Sequence, residues 1–182
     1  MDPVSPWIFV ILLRLTIPLF ILLNPLGGSI ISLIVEMIDM PILQLFGVRE
    51  FSTYQPVDKT LDTYMYLFQG YTMLFWNNEK ARYIGFALLL FRIGGVIMFY
   101  ITGDRGVLFL FPDVFIFYYM FYVIYKAIFR NDPFMRLRPI ITVLVVLTSI
   151  KLYQEYLLHV VEFSFYQLVL FPTGFEKVFA GK

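Results

Sequence analysis

The chain has 182 residues, 60% of them hydrophobic, only 15% charged and with a net charge of +1, and its mean hydropathy is +0.79. Soluble domains run about 45–50% apolar and about 25% charged, so this much apolar surface exceeds what one soluble core of this length can hide and points to lipid. The near-neutral charge gives no support to nucleic acid as a partner, and the absence of cysteine excludes disulfides, thiolate metal sites and cysteine nucleophiles.

The length leaves room for a single domain, 1–182, with about six membrane spans of roughly 20 residues each. The first span is expected over Trp7–Leu23. It lacks a basic leader and a small-residue cleavage site and carries Arg14 within the run, so it reads as a retained span rather than a signal peptide. Asn24-Pro25-Leu26-Gly27-Gly28 is a turn. The second span covers Ser29–Phe46, with Glu36, Asp39 and Pro41 in its second half, and a polar stretch follows to Pro56. The third runs from Val57 to Trp76, and Asn77-Asn78-Glu79-Lys80 turns the chain. The fourth covers Ala81–Ile101 with Arg92 near its middle. A short apolar piece, Val107–Phe111, precedes Pro112, and the fifth span covers Asp113–Phe129. The last helix starts near Pro139 and could continue to Leu170, which at 1.5 Å per residue exceeds a bilayer core of about 30 Å. The fold class expected is all-α, a polytopic transmembrane helix bundle in an unspecified membrane.

Basic residues do not orient it. The odd-numbered connections carry Lys80, Arg82, Lys126, Arg130, Arg136 and Arg138, and the opposite side carries Arg49, Lys59, Arg105, Lys177 and Lys182; six against five is no bias.

Charges inside spans cost about 2.5–3.5 kcal/mol each on insertion scales, so their placement is informative. Glu36 and Asp39 are three apart on one face of span two, and Asp58 and Asp62 are four apart at the start of span three. The Gly47–Pro56 connection puts those ends on one membrane side. The second half of the last helix returns to that side with a stripe of Lys151, Glu155, His159 and Glu162. Up-and-down order therefore brings Glu36, Asp39, Asp58, Asp62, Glu155 and His159 together. Carboxylates this close need positive charge between them, and oxygen ligands suit Mg²⁺, Mn²⁺ or Ca²⁺. Glu155 and His159 could add ligands, or His159 could act as a base near neutral pH. The bland alternative makes these charges ordinary span-end groups, with Lys59 and Asp104 in loops, Lys151 and Glu155 as an ion pair, and Arg92 paired with a carboxylate inside the bundle.

The acid spacing resembles the CDP-alcohol phosphatidyltransferases, whose signature is D-x-x-D-G-x-x-A-R followed by G-x-x-x-D-x-x-x-D. Glu36-Met37-Ile38-Asp39 stands where D-x-x-D would, and Asp58-Lys59-Thr60-Leu61-Asp62 matches D-x-x-x-D. Glu36 replaces the first aspartate, Met40 and Tyr54 replace the two glycines, and no Ala-Arg pair follows. The resemblance implies a six-span membrane enzyme with Glu36, Asp39 and Asp58 as ligands of Mg or Mn, and Asp62 as ligand or catalytic base. Three functions are thus expected to compete: a divalent-metal enzyme acting on a lipid or lipid-linked substrate, a non-catalytic accessory or scaffold subunit with partner membrane subunits, and a small transporter or ion pathway.

Overall fold

A computed structural model describes residues 4–46, 54–104, 106–131 and 137–159; side chains are described within these ranges except at 4–5, 137–140 and 154–159. Among the described residues the chain is all-helical. The helices are α1 (Val4–Thr16), α2 (Pro25–Leu45), α3 (Tyr54–Met73), α4 (Glu79–Thr102), α5 (Gly106–Leu110), α6 (Val114–Phe129) and α7 (Leu137–His159), with a 3₁₀ segment, Ile17–Leu22, continuing α1.

Local chemistry explains the boundaries. Pro18 has no N–H to continue the α-helical ladder, and the chain tightens to 3₁₀ at that point. The Leu15 carbonyl, near this change, accepts a hydrogen bond from the Tyr64 hydroxyl of α3 at 3.1 Å. Asn24 caps α2 by accepting from the Gly27 N–H, Asn78 caps α4 by accepting from Ala81, and Asp113 caps α6 by accepting from Ile116. Asn24 and Asn78 sit in turns that the sequence reading places, and Asp113 opens the fifth span it places after Pro112.

The 3₁₀ segment and α2 form a close hairpin. A Cβ on Gly28 would land on the backbone of Phe20 and Ile21, so only glycine lets these two segments approach. α3 packs on α1, on the 3₁₀ segment, on α2 and on α4. α6 packs on α2, α4 and α7, and α5 folds back on α4. The main core is aromatic: Tyr66, Trp76, Phe115, Tyr118, Tyr119 and Tyr122 are all buried, and the rings of Trp76 and Tyr122 stack with centroids 3.5 Å apart.

α2 and α4 are each long and apolar enough to cross a bilayer. Pro6–Leu22, Val114–Phe129 and Ile141–Tyr153 are shorter apolar helical stretches. α3 has 20 residues, but Asp58, Lys59 and Asp62 lower its hydropathy. The expected continuation of the last helix toward Leu170 lies outside the described residues.

Candidate functional site

The N-terminal end of α3, the C-terminal end of α1 and the C-terminal half of α2 come together around one side chain. Arg14, in the last turn of α1, is buried. One guanidinium nitrogen donates to Asp39 Oδ2 at 2.6 Å and to Asp58 Oδ1 at 2.5 Å, and the other donates to Asp62 Oδ1. Two acids of α3 and one of α2 are thereby tied to α1. The planar fork suits this task because its donors diverge within one plane. Lys59 adds a second cation, 2.7 Å from Asp58 Oδ2 and 2.8 Å from Asp62 Oδ2.

Asp39 completes its hydrogen bonding locally. Its Oδ1 accepts from the Tyr54 hydroxyl at 2.7 Å and from the Met40 backbone N–H at 2.5 Å. Glu36, one turn before Asp39, is half-buried and within Coulombic reach of Arg14, Lys59, Asp58 and Asp62. The cluster so defined has four carboxylates and two cations, a formal surplus of two negative charges. Beside it lies a small cleft lined by Arg14, Ile17, Pro18, Ser32, Val35, Leu61 and Met65.

A second buried arginine serves another junction. Arg92 of α4 donates to the Phe111 carbonyl at 2.8 Å, and its Nε lies 3.7 Å from Asp113 Oδ2. Asp113 also accepts from the Tyr66 hydroxyl of α3 while capping α6. Gly95 makes this possible, since a Cβ there would occupy the place of the Phe111 ring.

Comparison with known proteins finds no matching family model, no similar curated protein and no similar solved structure.

The structure brings Glu36, Asp39, Asp58 and Asp62 near one another. Lys59, read from sequence as an ordinary loop charge, is instead a half-buried member of the cluster. Arg92 does pair with an internal carboxylate. Glu155 and His159 lie on the described backbone of α7, but their side chains fall outside the described residues, as does Glu162 altogether. Among the described residues no group of three or more His, Asp or Glu side chains is placed to share a metal ion. The space between the acids holds the Arg14 guanidinium and the Lys59 ammonium.

Sequence reasoning noted Arg14 only as an obstacle to a signal peptide. The available signal is its cost: a cation seven residues inside an apolar run needs an acid partner, and α2 and α3 supply the nearest ones.

Proposed function

We propose that the chain is an integral membrane protein of six spans, formed by α1 with its 3₁₀ extension, α2, α3, α4, α6 and α7. In this reading it works as a non-catalytic accessory or scaffold subunit, and the Arg14 cluster locks its N-terminal helices. The observation that carries this is the distribution of polarity. Arg14, Asp39, Asp62, Arg92 and Asp113 are buried and paired with one another, while Leu45, Met37 and Ile101 are 80%, 70% and 73% exposed. A protein in water reverses that order; one in lipid keeps charges inside and paired. Engagement of Asp39, Asp58 and Asp62 by Arg14 supports a structural use of these acids, because their oxygens are directed at protein cations.

The absence of cysteine makes the topology directly testable. Single cysteines at Leu23, Asn77, Asp104 and Asn131, all exposed in connections, are to be probed with a membrane-impermeant maleimide in intact cells and in inverted vesicles. The expected result is that Leu23, Asn77 and Asn131 react from one side and Asp104 from the other. Reaction of all four from the same side contradicts six spans.

A second reading, a metal-dependent enzyme on a lipid-linked substrate with Glu36, Asp39, Asp58 and Asp62 as ligands, is favoured by one observation: the four carboxylates converge and outnumber the cations among them. As placed, the donor set does not fit a metal ion, since Arg14 and Lys59 hold Oδ atoms of all three aspartates. Titration of the detergent-purified protein with Mn²⁺, followed by electron paramagnetic resonance, separates the readings. The scaffold reading expects no saturable site. One stoichiometric site lost in Asp58→Asn supports the enzyme.

A further inference from the structure

The polar face of α3 does not stop at Asp62. Tyr66, Gln69 and Thr72 follow at spacings of four, three and three, and all are buried. They meet polar groups of two other helices. The Thr72 hydroxyl lies 2.7 Å from the Tyr119 hydroxyl of α6, and Tyr119 is also hydrogen-bonded to Ser29 of α2. Gln69 Nε2 donates to Ser29 Oγ at 3.4 Å.

This leaves one unmet group. Gln69 is 0% exposed, and its Oε1 has no hydrogen-bond partner among the described residues. Exchanging the amide oxygen and nitrogen does not remove the problem; it leaves the amino group unmet instead. A buried amide with an orphaned end is costly, and native interiors meet such groups with protein or ordered water. The 3.4 Å contact to Ser29 is longer than the usual 2.7–3.2 Å range, so the amide is loosely held beside a Ser29 hydroxyl that also bonds Tyr119.

We propose that Gln69 binds an internal water molecule, which donates to Oε1 and shares the Ser29 and Tyr119 hydroxyls. The chemistry selects a small neutral ligand. The nearby partners are uncharged amide and hydroxyl groups. Three polar partners are what a buried water ordinarily needs. The site ties α2, α3 and α6 into one network and is independent of whether the Arg14 cluster is structural or catalytic.

Two measurements test it. In water-edited solid-state NMR of the reconstituted, ¹⁵N-labelled chain, the Gln69 side-chain amide should receive water magnetisation that buried backbone amides such as those of Leu89 and Phe115 do not. A Gln69 amide as dark as those two overturns the proposal. In detergent, Gln69→Leu should lower Tm by about 2–4 °C, because leucine removes the amide donor to Ser29 and the acceptor that holds the water. A rise in Tm also overturns it, since it means the substitution relieved a dry, unpaired amide.

Discussion

The two buried arginines solve the same problem with different margins. Arg14 faces three carboxylates on two other helices, with Lys59 beside them. Arg92 faces Asp113, and spends a donor on the Phe111 carbonyl. Around Arg14 negative charge is in surplus, so the cation holds the acids together. Around Asp113 the acid is already bonded to Tyr66 and to the start of α6, so the cation completes a junction that other bonds also hold. Burial of an arginine therefore does not measure its importance; what matters is how many charges its loss would strand.

The sharpest way to break this comparison is to remove each arginine in turn. Arg14→Met leaves Asp39, Asp58 and Asp62 with Lys59 as their main cation, and should cost about 3–5 kcal/mol, the range for breaking a buried ion pair. Fluorescence-detected size-exclusion chromatography after heating in detergent should show most folded protein lost. Arg92→Met should cost less, about 2 kcal/mol, as for one charge-assisted hydrogen bond, because Asp113 keeps Tyr66 and its capping bond. Equal losses at the two positions would erase the distinction.

Smaller changes sharpen it from the acid side. Tyr54→Phe removes one hydroxyl bond to Asp39 and should cost about 1 kcal/mol, read as a Tm shift of about 2–4 °C. Asp58→Asn should change stability by less than about 1 kcal/mol. It strands no cation, since Arg14 retains Asp39 and Asp62 and Lys59 retains Asp62, and it reduces the negative surplus. A large loss at Asp58 would mean that the surplus charge is itself matched by a bound cation.

Much of this organisation was legible beforehand. Helical spacing alone put Glu36 with Asp39 and Asp58 with Asp62, and the single connection between their helices put both pairs at one end. The turns at Asn24–Gly28 and Asn77–Lys80 are legible from proline, glycine and polar residues, whereas the capping bonds of Asn24, Asn78 and Asp113 are not. What spacing does not encode is which cation a carboxylate meets. Arg14 lies 25 residues from Asp39 and 48 from Asp62, and only the packing of α1 against α2 and α3 joins them. A lysine at a helix start ordinarily reaches water, so the sequence does not show that the Lys59 ammonium pairs with both Asp58 and Asp62. The Ser29–Gln69–Tyr119 network was invisible for a similar reason, as each member alone is a commonplace polar residue in an apolar run.

A double-mutant cycle on Arg14 and Asp62, with Tm and denaturant midpoints measured in one detergent, tests the cluster most directly. If the guanidinium bonds that carboxylate, Arg14→Met with Asp62→Asn should be at least about 1 kcal/mol more stable than the two single losses added together. Strict additivity would contradict the account, because it would mean that Arg14 and Asp62 do not sense each other in the folded protein.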